Sequence, residues 1–360
     1  MASRKTPVLI IGGGVAGLAA ALELARRGLP SLVAEQGPRL GGQAARFCCK
    51  ALATCARCGA CRWGDLLNEA AARPEVGFLS LALPVAARPA DSGWEVDLAP
   101  LPDPAAGPSD PLAPPLGERT TVRAGAVVLA VGHTPFDPRR KTRFGHGRVA
   151  GVVTAGELEE ALAQGQVPGQ ARRVAFIQCV GSRDQSLGRL YCSRVCCGFA
   201  LRLARLAQYL SPESQVTFFH MDVQGYGRAW EDDLNEMRGQ MRFVRAMPGE
   251  VQAGESGPRV LYAGPDGAPQ AEEFDLVVLS TGLEPPTAAA ALSDMFGLAR
   301  TIDGFLGQEG ETVRTGAPGV FVAGAAGGPR SIVESIDHAA LAAAAAMLHL
   351  MPARREASHA

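Results

Sequence analysis

The chain has 360 residues, 47% of them apolar, and 35 Lys and Arg against 36 Asp and Glu, for a formal net charge of −1. That size can bury a core large enough for two domains, and the balanced charge gives no field to draw in nucleic acid or an anionic membrane. Nine cysteines in tight groups point, in a reducing cytoplasm, to metal or redox work more than to structural disulfides.

Pro7 to Ile11 is a short apolar run that predicts a buried parallel strand, and Gly12 to Gly28 continues in a helical pattern of Ala, Leu, Glu and Arg. The glycines interrupt this stretch and no small-residue cleavage pattern follows it, so it reads as strand and helix and not as a signal peptide. Leu32-Val33-Ala34 predicts a second strand ending at Glu35. Within this βαβ unit Gly12-Gly13-Gly14-Val15-Ala16-Gly17 fits G-x-G-x-x-G. Gly12 permits the sharp turn, Gly14 lets backbone approach a pyrophosphate, and Gly17 lets helix and strand pack closely, with Ala16 inside the same turn. The helix N-terminus then faces the phosphates, and Glu35 is placed to accept from the adenosine ribose.

Gly41-Gly42 comes next, followed by Cys48, Cys49, Cys55, Cys58 and Cys61 in FCCKALATCARCGAC. The C-x2-C-x2-C core has ferredoxin-like spacing, with Cys49 or Cys48 as a fourth iron–sulfur ligand; zinc, or a redox-active cysteine pair, is the rival reading. The Pro-, Gly- and Asp-rich residues 99–118 predict a loop between antiparallel strands, and Ala126 to Val131 a buried strand ending at Gly132.

A second strand-and-helix start is expected at Arg173 to Ile177, with a helix from about Cys192 to Leu210 and strands near Val216–His220 and Phe274–Leu279. Here the turn is CVGSRD, without paired glycines, so the nicotinamide site usual in such a position is expected to be absent. Cys179, Cys192, Cys196 and Cys197 give C-x12-C-x3-C-C. Three thiolates near a helix N-terminus and a fourth at a strand end can surround one anionic cluster, which the dipole and Arg183 or Arg194 help to neutralise; zinc is again the alternative. Near the C-terminus Gly319 to Ala323 predicts a strand, followed by Gly324, Ala325 and a helix from about Ile332. The apolar run Ala339 to Met351 is too short to span a bilayer. A cytoplasmic chain is expected.

The fingerprint, Gly41-Gly42 and the TGAPGVFVAGA segment together resemble the thioredoxin reductase and glutathione reductase superfamily, which implies FAD. The departure is Ala325, where that family commonly has Asp, so backbone groups must take over one contact to the ribityl chain. The implied fold is α/β with two Rossmann-like dinucleotide-binding-type domains, the second inserted into the first. The expected divisions are 1–150 and 284–360 for the FAD-binding domain and 151–283 for the inserted module.

GGGVAGLAAALELA, GGQAA, IQCVGSRD and YCSRVCC resemble the A-type flavoprotein of heterodisulfide reductase and its relatives in sulfur-oxidising and quinone-interacting complexes. The resemblance implies a 4Fe-4S cluster on Cys179, Cys192, Cys196 and Cys197; a second, on Cys55, Cys58 and Cys61 with Cys49 or Cys48, is expected from the C-x2-C-x2-C spacing. It also implies an electron-transfer subunit working with B- and C-type subunits and with ferredoxin-like or lipoate-binding carriers, and a homodimer is one expected state. Five residues past the last cysteine, where bifurcating members carry a Lys that reaches the flavin, this chain has Arg202, which cannot adjust its charge as Lys can. An NAD(P)H-dependent disulfide reductase using Cys48 and Cys49, and a zinc-stabilised scaffold, are the readings outside this class.

Overall fold

The computed structural model describes residues 2–102, 118–225 and 230–351. The chain divides into two compact units, one of Met1–Ala45, Cys61–His133 and Pro285–Ala360, the other of Arg46–Ala60 and Thr134–Glu284. The expected divisions fall at 150/151 and 283/284, whereas the units part at 133/134 and 284/285. Residues 46–60, placed by sequence with the flavin domain, fold with the second unit.

In the first unit the strands Val76–Leu79, Ser31–Ala34, Ala2–Ile11 and Thr120–Leu129 lie side by side and parallel. Thr120–Leu129 is long enough to serve two further partners. Its first half pairs antiparallel with Gly93–Pro100, which pairs in turn with Ala82–Ala90, and its last residues pair parallel with Val320–Val322. Alternate residues of Ala2–Ile11 feed two cores: Val8 and Ile10 enter one, Leu9 and Ile11 the other. That alternation, with both faces apolar, is what a strand covered on both sides requires.

The helix Val15–Ala25 buries nine of its eleven residues. It packs against the helix Ile332–Leu350 through Ala339, Ala342, Ala343 and Ala346 on the Val8 side of the sheet. Small residues along that seam let the two helices approach closely. On the other side, Trp94 packs on Phe296 of the helix Ala289–Phe296, ring centroids 5.1 Å apart. Of the loop expected at 99–118, Ala99 and Pro100 close the strand Gly93–Pro100, and 103–117 lie outside the described residues.

The second unit has its own parallel sheet, ordered Arg242–Val244, Gln215–Phe219, Arg173–Val180, Leu276–Thr281, Val152–Thr154. Val174 and Phe176 face the helices Ala155–Ala163 and Cys196–Leu210. Ala175 and Ile177 face Val251 and Val260 of an antiparallel three-stranded sheet. Among the described residues no helix is long and apolar enough to cross a membrane.

One expectation of local structure is corrected. The helix begins at Cys196, not Cys192. Arg194 adopts a left-handed conformation, φ 64°, which a helix cannot continue through, so Cys192 stands in the turn before it.

Candidate functional site

In the first unit the glycine turn is dictated by close backbone contact. A Cβ on Gly17 would lie 1.9 Å from the Gly12 carbonyl oxygen, so the helix can sit on the strand only with glycine there. Gly42 closes on the same turn, where a Cβ would come 3.1 Å from the Gly14 Cα, and Gly41 N–H donates to the Gly13 carbonyl at 2.8 Å. Gly14 itself faces open space, with nothing nearer an added Cβ than Gly42 Cα at 3.9 Å. The helix that follows has no side-chain cap and no acid in its first turn. Its N–H groups and dipole are therefore free to receive an anion over Gly14.

Glu35 is held as a fixed acceptor. Its two carboxylate oxygens each take one backbone N–H, from Gly13 and Gly37, both at 2.7 Å, which leaves lone pairs on each for ribose hydroxyls. Gly132, φ 70°, follows the strand Thr120–Leu129 at the same end of the sheet. Gly324, φ 65°, lies against Ala16, whose Cβ would be 2.6 Å from a Cβ added to Gly324. Its N–H donates to His338 Nδ1 at 3.0 Å and its carbonyl accepts from Arg330 at 3.1 Å. Ala325 is buried within the short turn Gly324–Gly327. An open cradle at Gly14, an uncapped helix end and an oriented acid fit an adenine dinucleotide.

In the second unit the corresponding strand end carries thiols. Cys179, φ 58°, and Arg183, φ 53°, are both left-handed, and this bends the chain away from the dinucleotide-type turn. Cys196 is hydrogen-bonded to Cys179 and to Cys197, which pushes its thiol well above the ordinary range and pulls both neighbours below it. Cys192 is raised, chiefly by burial, and feels the charges of Cys179 and Cys197. The Arg194 N–H donates to its sulfur at 3.3 Å. Arg183 pairs through both guanidinium nitrogens with Asp222 and lowers the Cys179 thiol further. The structure thus brings the four middle cysteines into one charge-coupled group. In this hydrogen-bonded arrangement no set of three or more His, Cys, Asp or Glu side chains has metal-ligand geometry among the described residues.

The surroundings still fit an inorganic group. Gln178, Ser182 and Ser280 are each 1% exposed, and the Gln178 amide, both hydroxyls and His220 Nδ1 have no hydrogen-bond partner among the described residues. Each such orphan costs about 1–3 kcal/mol if left unmade. Ser182 also lines a cleft of about 520 Å³ that reaches Cys179 and is bordered by Lys141, Arg183 and Met221. The helix from Cys196 has neither a side-chain cap nor an acid in its first turn, so its dipole favours an anion held by these thiols.

The N-terminal cysteines are arranged differently. Cys49, Cys55 and Cys61 are exposed, and Cys58 is half-buried. Cys61 precedes the helix Arg62–Ala71 and belongs to the first unit, whereas Cys48 to Cys58 belong to the second. Cys55 repeats the local device of Cys192: its sulfur accepts from the N–H of Arg57, two residues on, which is also left-handed, φ 48°. Arg202 Nε donates to the Ala56 carbonyl at 3.0 Å, so this side chain ties the 55–58 loop to the helix bearing Cys196. Burial, with the charge of Glu159, pushes Cys48 up to about 11, which leaves it a weak nucleophile.

Lys50 and Glu159 are a buried ion pair that the sequence did not signal. They meet at 2.5 Å with side chains only 2% and 1% exposed, and Glu159 also accepts from the Cys48 N–H at 2.6 Å. Lys50 lies 5.3 and 5.4 Å from the Phe47 and Phe199 ring centroids. A separation of 109 residues leaves no local pattern to find; a Lys inside an apolar segment is the one hint.

Residues 7–53 match the family model described as FAD binding domain. Over 253 residues the chain is 34% identical to the A component of the H(2):CoB-CoM heterodisulfide,ferredoxin reductase of Methanothermobacter marburgensis, covering 65% of this chain and 38% of that protein. The A component of the Ferredoxin:CoB-CoM heterodisulfide reductase of Methanosarcina mazei is 37% identical over 249 residues, 64% of this chain and 31% of that protein. The chain therefore spans well under half the length of these relatives. Among solved structures, thioredoxin reductase from T. acidophilum superposes with a TM-score of 0.63 at 17% identity, covering 95% of this chain and 98% of that one. The Lactococcus lactis thioredoxin reductase gives 0.60 at 17% identity, with 96% and 98% covered. At such identity the likeness speaks for the fold alone: α/β, of the thioredoxin reductase type. In sequence, about two thirds of the chain is similar to the A subunits of heterodisulfide reductases, over 31–38% of their own length.

Proposed function

We propose that the chain is an oxidoreductase subunit that carries FAD in its first unit and a 4Fe-4S cluster on Cys179, Cys192, Cys196 and Cys197, and transfers electrons to partner subunits. When bound, FAD supplies two-electron exchange and the iron–sulfur group one-electron exchange. The residues around them do the rest. Gly12, Gly14 and Gly17 admit the pyrophosphate, and Glu35 holds the ribose. Arg183 and the uncapped helix end offset the negative charge of a thiolate-ligated group. A second cluster is read from spacing on Cys49, Cys55, Cys58 and Cys61, and Arg202 acts as a positioning residue for the 55–58 loop. Arg202, at the family's Lys position, favours a heterodisulfide-reductase-like complex of sulfur metabolism with B- and C-type subunits over a bifurcating one.

The observation that carries this reading is the replacement of a dinucleotide turn by thiols at the same strand-to-helix junction: Cys179, left-handed at the strand end, and Cys196 and Cys197 opening the helix are all buried, with Cys192 in the turn between. The test is anaerobic purification with flavin, iron and acid-labile sulfide assays, followed by mixing with NADH. One FAD per chain, iron with sulfide, and slow or absent bleaching by NADH support the reading. Zinc in place of iron, or rapid saturable bleaching, sinks it.

A further inference from the structure

The strand Arg173–Val180 presents alternate residues to its two faces, and Val174 and Phe176 pack with Ala200, Leu203 and Ala204 of the helix Cys196–Leu210. Gln178 continues that row toward the end of the strand. Because the helix runs back along the sheet, its first turn, with Cys196 and Cys197, stands over that same end. Gln178 is 1% exposed, and its amide nitrogen and oxygen both have no hydrogen-bond partner among the described residues. On one neighbouring strand Ser280, at the bulge after Leu279, has an equally orphaned hydroxyl; beyond the other, His220 has an orphaned Nδ1. A glutamine buried in an apolar row with both amide atoms unmatched is costly where Leu or Met would pack as well. Cys179 follows it in the chain, and Cys196 is hydrogen-bonded to Cys179.

We propose that the Gln178 carboxamide is a hydrogen-bond donor to the sulfur of the group held by Cys179, Cys192, Cys196 and Cys197. In that position it raises the group's reduction potential. The inference rests on the cluster reading above and makes Gln178 a positioning residue that acts through hydrogen bonding, not a ligand. An N–H directed at sulfur stabilises the more negative, reduced state, so its loss moves the potential downward.

The test uses the full chain, anaerobic and replete in flavin and iron. Gln178→Leu and Gln178→Met keep the volume and remove the donor, and each is titrated by EPR beside the native protein. With iron and sulfide unchanged, the reduced state is expected to be disfavoured by about tenfold, roughly 59 mV for one electron. A second readout does not depend on how a variant folds. In native protein carrying glutamine labelled with 15N at the side-chain amide, the reduced cluster should show a weak 15N coupling. An unshifted potential at full iron content, or no 15N coupling, overturns the role of Gln178 alone. Native protein without iron and sulfide overturns the cluster reading and, with it, this inference.

Discussion

The two strand-to-helix turns of the molecule begin alike and end in opposite chemistry. After Ile11 the chain turns on glycines, and the space over Gly14 is empty enough for a phosphate. After Gln178 it turns on Cys179 and Arg183 in left-handed conformations, and side chains fill the corresponding place with sulfur. Both helices that follow lack a side-chain cap and a first-turn acid. The lesson is that both helix ends favour an anion, while the turn decides whether backbone N–H groups or thiols face it.

The sharpest way to break this comparison is to fill each turn. Gly17→Val puts a side chain where a Cβ would already be 1.9 Å from the Gly12 carbonyl oxygen. It is expected to abolish flavin retention and cost about 3 kcal/mol or more, read by absorbance of the purified protein and by denaturant melts. At Gly181, φ 86°, a Cβ would meet the Phe136 ring at 2.0 Å. Gly181→Ala should destabilise the second unit yet leave FAD content near one per chain. Equal flavin loss in both variants would show that the turns do not hold separate guests.

A second prediction concerns how the N-terminal cysteines reach the second unit. Lys50→Met leaves Glu159 buried without its cation, and is expected to cost about 3–5 kcal/mol and open 46–60 to protease. The double variant Lys50→Met/Glu159→Met removes both charges and should recover most of that loss. If the double variant is no better than the single, the pair does not work as a charge pair. A third, smaller effect separates the cysteines: Cys196→Ala should lose one cluster's share of iron, and Cys48→Ala almost none. Equal loss from both would assign Cys48 a ligand role that its burial beside Glu159 argues against.

What is legible in the sequence follows from local geometry. The glycine turn and Glu35 announce themselves because each position has a steric or hydrogen-bonding task within about twenty-five residues. Cys179, Cys192, Cys196 and Cys197 are legible as a group by spacing, but Cys192 also reads as helical because nothing in CSRV signals a left-handed Arg194. The assignment of 46–60 to the second unit, the Lys50–Glu159 pair and the Arg202 contact with Ala56 depend on pairings more than a hundred residues apart. Long-range pairings of that kind have no periodic signature. By sequence Arg202 is a residue reaching toward the flavin; in the structure its Nε donates to a carbonyl of the cysteine loop.

The smallest predicted effect lies at the second flavin segment and is a pH dependence. Burial, with the charge of Arg330, pushes His338 down to about 4, against about 6.5 in an unfolded chain. Between those values the unfolded chain takes up a proton that the folded one refuses, so stability is fully present above about pH 6.5 and falls as pH drops toward 4. His133, also pushed to about 4 by burial, contributes with the same sign. The local consequence is specific to His338, whose Nδ1 accepts from the Gly324 N–H at 3.0 Å; a protonated ring cannot accept there, and the Gly324 turn loses its anchor. Flavin retention should therefore weaken as pH falls through about 4, where the folded ring takes its proton, whereas the melting temperature already declines by a few degrees between about pH 6.5 and 4. His338→Gln keeps an acceptor but no titrating group, and should flatten both curves by about one proton. Identical pH slopes for flavin release in the variant and the native protein would detach His338 from the flavin segment and leave His133 and the surface carboxylates to account for the acid sensitivity.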